Sequence, residues 1–221
     1  MRIAVVDYGS GNLHSVMQSL KAAGQSAGPD HDVFLTDQAD DVLAADRLVL
    51  PGVGAFADCA RNLRAVDGMI AALEEKVLVQ ATPFLGICVG MQLMADAGHE
   101  DGLTKGLGWI KGEVRAMAPT ALNQQDGDEQ ELKIPHMGWN SLTIRHHHPV
   151  MTGLSDGDAV YFVHSYHFTG GEDEAMIADV DYGGPVVAAI ARDNMVGVQF
   201  HPEKSQHIGQ GLLTNWLNWK P

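Results

Sequence analysis

The chain of 221 residues carries 14 Lys and Arg against 28 Asp and Glu, a net charge of −14, with 45% hydrophobic residues and two cysteines. That length supports one large domain burying roughly 70% of the surface its unfolded chain would expose, so no disulfide scaffold or structural metal is needed to hold the core. The acidity argues against nucleic acid or an anionic membrane as the main partner, since both demand a basic face, and 25 glycines among 221 residues, above the usual ~7%, point to tight turns and close backbone approaches.

The first residues run straight into a strand pattern with no basic, apolar leader, which predicts a cytoplasmic address. No apolar stretch approaches the roughly 18 residues that span a bilayer, and Cys59 and Cys88 read as free thiols of a reducing compartment. Ile3 to Val6 is the first predicted strand, followed by the loop Tyr8-Gly9-Ser10-Gly11 and a helix from about Asn12 to Ala23. Strands at Val33 to Leu35 and Arg47 to Leu50, helices at Ala55 to Arg64 and Gly68 to Val79, and a doubly buried strand at Pro83 to Ile87 continue the alternation that builds a parallel sheet with crossover helices.

From Leu107 the rhythm shortens. Strand-like pieces at Ile110 to Met117, Ser141 to Arg145, Ala159 to Phe168, Ala175 to Val180, Val186 to Ala191 and Met195 to Phe200 favour hairpins and antiparallel additions. Asn123 to Glu131, polar and acidic without apolar periodicity, reads as an exposed loop. The chain closes on a helix from Ser205 to Trp219, where Ile208, Leu212, Leu213 and Trp216 recur at helical spacing.

Three segments carry chemistry. Gly86-Ile87-Cys88-Val89-Gly90 has the form Gly-x-nucleophile-x-Gly at a strand-to-helix junction, where a turn so sharp requires bare backbone two residues before and after the nucleophile. The following helix N-terminus favours a thiolate. On these five residues alone, a core cysteine between two packing glycines stays open as the lesser alternative. Val196 to Phe200 is an apolar strand ending in His201-Pro202-Glu203, which can supply a base and the carboxylate that orients it, with the proline ending the strand; alone, it reads no better than a surface turn. Leu50-Pro51-Gly52-Val53-Gly54 follows a strand and opens a helix, so its backbone N–H groups can face a developing negative charge, or form a plain βα turn.

Together, Pro51-Gly52-Val53-Gly54, Gly86 to Gln92 and His201-Pro202-Glu203, each at a predicted strand end, resemble the class I (triad) glutamine amidotransferases over nearly the whole chain. The order nucleophile, base, acid differs from the nucleophile, acid, base of α/β-hydrolases. Within that family, Asp7 to Leu13, Pro135-His136-Met137-Gly138-Trp139-Asn140, Tyr161 to Tyr166 and His201 to Ser205 are similar to the glutaminase subunits of imidazole glycerol phosphate synthase. These segments argue against the relatives that serve anthranilate, carbamoyl phosphate, GMP or pyridoxal phosphate synthesis, and an intact Cys88, His201 and Glu203 argues against a binding protein that has lost the chemistry.

The resemblance implies an α/β, flavodoxin-like single domain over residues 1–221, with a mainly parallel central sheet flanked by helices and an additional antiparallel portion, and neither cofactor nor metal. It implies that Cys88 attacks the side-chain carboxamide of L-glutamine, that His201 shuttles the proton and that Glu203 orients His201, with the oxyanion held by the Gly52-Val53 peptide and Val89. Substrate contacts fall on Gln92, Glu100, His164, Ser165 and Tyr166; His99 stands where the family often has another acid. The implied partner is a (β/α)₈-barrel cyclase that receives the ammonia and converts N'-[(5-phosphoribulosyl)formimino]-5-aminoimidazole-4-carboxamide ribonucleotide to imidazole glycerol phosphate and AICAR in histidine biosynthesis. Asn12, Trp139, Tyr161 and Lys204 align with partner-facing segments, a core position for Trp139 being equally open.

Other signals carry less. Gly9-Ser10-Gly11-Asn12-Leu13-His14 lacks the third glycine of a dinucleotide loop. His146-His147-His148 has no paired Cys or His at zinc-ligand spacing and reads as a solvated turn, and Cys59 reads as a packing residue on its helix.

Overall fold

In a computed structural model that describes residues 1–28, 31–119, 122–125 and 128–221, short aliphatic runs alternate with helices through the first half of the chain. In order these are β1 (Arg2–Val6), α1 (Leu13–Ala27), β2 (Asp32–Thr36), α2 (Ala39–Leu43), β3 (Arg47–Gly52), α3 (Phe56–Ala65), α4 (Met69–Glu74, continued by a π turn over Glu75–Val79), β4 (Phe84–Cys88) and α5 (Val89–Gln92). The second half adds β5 (Ala97–Gly98), β6 (Thr104–Lys105), β7 (Glu113–Ala116), β8 (Leu122–Gln125), β9 (Asp128–Glu131), β10 (His136–Ser141), β11 (Thr143–Ile144), β12 (Ala159–His164), β13 (Tyr166–Thr169), β14 (Met176–Asp181), β15 (Pro185–Arg192), β16 (Met195–Val198) and α6 (Gln206–Asn218).

The central sheet has eight strands in the order β11-β14-β15-β16-β4-β3-β1-β2. From β2 through β16 neighbouring strands are parallel, whereas β15, β14 and β11 add on antiparallel. Every residue of β3, β4 and β16 is buried, which is why these runs are apolar without alternation. The registers Gly52 opposite Cys88 and Val198 opposite Ile87 put the carboxyl ends of β3, β4 and β16 side by side. An open α/β sheet binds ligands along that edge, and all three chemistry-bearing segments leave the sheet there.

Three differences from the sequence reading have physical causes. The strand expected at Ser141 to Arg145 is the short β11, and the strand before it, β10, is not expected from the sequence, because β10 is inverted: its polar His136 is buried while Met137 and Trp139 are 61% and 49% exposed. Alternation is read on the opposite assumption. The run Ala159 to Phe168 is two strands that part at Ser165, β12 pairing with β10 and β13 with β7. The loop expected at 123–131 contains an antiparallel ribbon, Leu122 opposite Glu131 and Gln125 opposite Asp128; pairing satisfies backbone groups without requiring an apolar face, so periodicity is silent there. Residues 126 and 127, and the exposure expected of that segment, lie outside the described residues. The five-residue α2 is too short to show a helical period and buries only Val42.

Candidate active site

Cys88 ends β4 and begins the turn into α5 with φ 54° and ψ −112°. A non-glycine residue held there stores roughly 1–3 kcal/mol of backbone strain and persists only when its surroundings over-determine it. They do. A Cβ on Gly90 would overlap the Leu50 carbonyl oxygen, and one on Gly86 would stand 2.7 Å from the Gly90 carbonyl oxygen. The flanking glycines thus answer the steric need expected of the pattern, and the packed-core alternative does not account for a strained cysteine lining a cavity. The helix that follows has only the four residues Val89–Gln92, too few aligned peptides to supply the dipole expected to favour a thiolate.

On the neighbouring strand end, His201 and Glu203 have side chains 3% and 1% exposed, and His201 Nδ1 lies 2.8 Å from Glu203 Oε1. The 3₁₀ turn Pro202–Lys204 folds the carboxylate back onto the imidazole, as the proline between them suggests. Burial pulls the His201 pKa down, but Cys88 and Glu203 more than offset it and raise it to about 9. The imidazole therefore holds its proton at neutral pH. Its Nε2 is buried and directed at the Cys88 sulfur, whose hydrogen-bonding attraction is the largest influence raising the imidazole, although the two atoms are not yet in full hydrogen-bond geometry. The His201 backbone is tied to β12: its N–H donates to Tyr161 O at 2.9 Å, while Ser205 Oγ donates to His201 O at 2.7 Å and accepts from Tyr161 N–H at 3.0 Å.

A cavity of about 460 Å³ opens over Cys88, lined by Val53, Val89, Gln92, Glu100, His164, Ser165, Tyr166 and His201 among others. All five substrate-contact residues expected from the resemblance reach it. Glu100 also accepts from Phe56 N–H at 2.7 Å, which fixes one carboxylate oxygen at the start of α3. His99 is absent from the lining and pairs with Glu113 Oε2 at 3.0 Å.

The strand expected to bind the oxyanion is tied elsewhere. Val53 N–H donates to Ser10 Oγ at 3.1 Å, and Ser10 Oγ in turn donates to Val53 O at 2.6 Å. Tyr8 OH donates to Pro51 O at 2.7 Å. Cys59, buried as its packing role requires, places Sγ 3.2 Å from Ser10 Oγ and 3.4 Å from Val53 O. Burial first, then the neighbouring Cys59, pushes the Tyr8 hydroxyl well above its ordinary value, so it is a neutral donor.

A chain of neutral donors holds the cavity wall formed by His164 and Tyr166. His164 Nδ1 faces the Tyr166 carbonyl at 3.0 Å, so it carries the hydrogen and leaves Nε2 to accept; His136 Nδ1, 3.1 Å away, must then donate to it. His136 Nε2 accepts from Asn140 Nδ2 at 3.3 Å. Burial lowers His164 to about 3 and His136 to about 4, which keeps both rings uncharged.

Of the four residues expected to face a partner, three form one surface. Lys204 Nζ stands 5.4 Å from the centre of the Tyr161 ring, and Trp139 meets that ring edge-on at 6.0 Å. Trp139 is not a core residue. Asn12, also exposed, precedes α1 and caps it with no side-chain hydrogen bond. The sequence reading missed the contacts of Tyr8, Ser10 and His136, and of Gln199, whose Oε1 accepts from Gln92 Nε2 at 3.0 Å. Only Gln199 had a local signal, as the one polar side chain in an apolar strand run, and it is completely buried.

Comparison with known proteins agrees with this geometry. Residues 4–218 match the family model described as glutamine amidotransferase class-I. The imidazole glycerol phosphate synthase subunit HisH of Mesorhizobium japonicum is 51% identical over 224 residues, covering all of both chains. The corresponding HisH subunit of Rhodospirillum rubrum is 52% identical over 222 residues, again covering all of both. The crystal structure of a glutamine amidotransferase from Thermotoga maritima, 14% identical, superposes with a TM-score of 0.62 over 99% of this chain and 96% of that one, a likeness of fold.

Proposed function

The chain belongs to the class I glutamine amidotransferases and, within them, to the HisH subunits of imidazole glycerol phosphate synthase, and on that premise we propose that Cys88, His201 and Glu203 are the triad by which it hydrolyses L-glutamine. The observation that carries the assignment is a strained, cavity-lining cysteine beside a buried His–Glu pair on adjacent parallel strand ends. Cys88 Sγ adds to the side-chain carboxamide carbon of glutamine. The tetrahedral oxyanion collapses as His201 gives its proton to the leaving nitrogen, releasing ammonia and leaving a γ-glutamyl thioester. Water then adds to the thioester carbon, neutral His201 takes its proton, and glutamate departs as the sulfur regains its electron pair. Glu203 keeps the imidazole oriented throughout. Val89 N–H and the Gly52-Val53 peptide are the proposed oxyanion donors, the latter once Val53 N–H is released from Ser10 Oγ. Gln92, Glu100 and the wall of His164, Ser165 and Tyr166 bind the substrate, with Glu100 set to receive the glutamine α-amino group.

Ammonia released into neutral water is protonated and no longer nucleophilic, so a synthase gains from a partner that takes it directly. The partner is a (β/α)₈-barrel cyclase in a heterodimer, seated on the face carrying Trp139, Tyr161, Lys204 and Asn12, where it makes imidazole glycerol phosphate and AICAR for histidine biosynthesis. Exposure of Met137 and Trp139 on one face of β10 supports that docking surface. The whole chain, 1–221, acts as one domain, and the setting is the cytoplasm, which suits two unpaired thiols; among the described residues no helix is long and apolar enough to cross a membrane. The test is Cys88→Ala in the assembled complex. Glutamine-dependent synthesis should vanish while synthesis from added ammonium persists, and glutamine turnover by that variant would refute the nucleophile.

A further inference from the structure

The orientation of two buried amides can be fixed from a single unambiguous acceptor. Gln92 Nε2 lies 2.9 Å from the Tyr166 carbonyl oxygen, which can only accept, so this atom is the amide nitrogen. The same nitrogen lies 3.0 Å from one end of the Gln199 amide, and that end must be Gln199 Oε1. The other end, Gln199 Nε2, is then committed to face Cys88 Sγ at 3.6 Å. Gln199 is 0% exposed, and its backbone N–H is held by Ala188 O at 2.8 Å, so the amide has neither room nor water to turn toward.

We propose that Gln199 is a catalytic residue, whose carboxamide N–H donates to Cys88 Sγ and stabilises negative charge on the nucleophilic sulfur. Among the described residues it is the one donor in hydrogen-bond geometry to this sulfur, His201 Nε2 facing the same atom without yet meeting that geometry. The division of labour follows. With the proton already on the imidazole of His201 and the electron pair on sulfur, the Gln199 N–H stabilises that charge without competing for the proton the leaving nitrogen needs. The four-residue α5 contributes little dipole, so beside the imidazolium of His201 the Gln199 amide is the discrete hydrogen-bond donor that meets the charge. The anchoring amide of Gln92 spends both of its hydrogens on Tyr166 and Gln199, so only Oε1 of that residue is left to meet a ligand.

This inference rests on Cys88 being the nucleophile, and one experiment separates the two claims. The full chain is treated with iodoacetamide across a range of pH, and the modification of Cys88 and Cys59 is followed separately by peptide mass spectrometry, alongside glutamine turnover. In Gln199→Leu, Cys88 should alkylate about tenfold more slowly at neutral pH, the usual magnitude for losing a hydrogen bond to a charged group, with the half-maximal rate displaced to higher pH. Turnover at saturating glutamine should fall in parallel with little change in KM. Gln199→Glu, which turns a carboxylate toward the sulfur, should fall further. Cys59, 1% exposed, reports unfolding, and where Leu makes it reactive the longer Gln199→Met is read instead. A wild-type pH profile in the folded variant overturns the role of Gln199 while leaving the nucleophile intact. Continued turnover by wild-type protein fully alkylated at Cys88 overturns both.

Discussion

The two turns that meet at the cavity, Gly86 to Gly90 around the cysteine and Pro51 to Gly54 facing it, are built on opposite principles. The first is locked by backbone collisions: Gly86 and Gly90 admit no side chain, and the cysteine between them sits at positive φ. The second is as closely packed at Gly52, where a Cβ would stand 2.9 Å from the Gly90 backbone nitrogen, but beyond it the turn is held by side chains that could let go. Gly54 has φ +93° and nothing within 4 Å of where a Cβ would stand, Val53 is 42% exposed, and the peptide N–H of Val53 is engaged by a serine hydroxyl. A nucleophile must be in place before substrate arrives, and a strained site keeps it there. Oxyanion donors are needed only in the transition state, so their turn can rest in another orientation at little cost.

Four measurements would break or sharpen that contrast. Gly90→Ala should lose about 3 kcal/mol or more in urea unfolding, or fail to fold, since the added methyl must displace the β3 backbone; tolerance of it would mean that the elbow is not locked. The imidazole of the locked side has a pH signature. His201 is raised to about 9 in the folded chain from an ordinary 6.5, so its stabilisation is complete below about 6.5 and is lost as the pH rises through about 9. The stability gap between wild type and His201→Gln should narrow across that window, and glutamine turnover should decline on the same alkaline limb as the proton donor is lost. A gap that widened would reverse the assigned charge.

On the looser side the effects should be smaller. Gly54→Ala should cost about 1–2 kcal/mol, the price of a positive φ for an L-residue, and leave the fold intact. Ser10→Ala should cost about 1 kcal/mol of stability and raise glutamine hydrolysis by the chain alone roughly fivefold, because freeing the Val53 peptide shifts it toward the donating orientation. Unchanged hydrolysis would show that Ser10 does not restrain the turn.

The locked region is also the one legible in sequence. Gly-x-Cys-x-Gly and His-Pro-Glu are local patterns whose sterics can be worked out from residue types alone, and the parallel half of the sheet announces itself through runs such as Leu48 to Leu50 and Phe84 to Ile87. The looser region is illegible because its partners are distant: Ser10 meets Val53 across 43 positions and Cys59 across 49, and no periodicity links them. Inverted β10 hides for another reason, in that a buried histidine pair and outward Met137 and Trp139 defeat the rule that apolar faces turn inward. Gln199 lies between these cases: a glutamine in an apolar strand asks for a partner, but only the folded chain names the cysteine.

The hydrogen bonds between β12 and the His-Pro-Glu turn set a length scale for communication. Tyr161 presents its ring to Trp139 and Lys204 on the outer face, while its carbonyl accepts the His201 amide and its own amide is held by the serine that also grips His201. A protein seated on that ring would be one peptide unit away from the imidazole that moves the proton. Contact at that ring and the position of the base are therefore linked by direct hydrogen bonds between β12 and the His-Pro-Glu turn, with no side chain of the core between them.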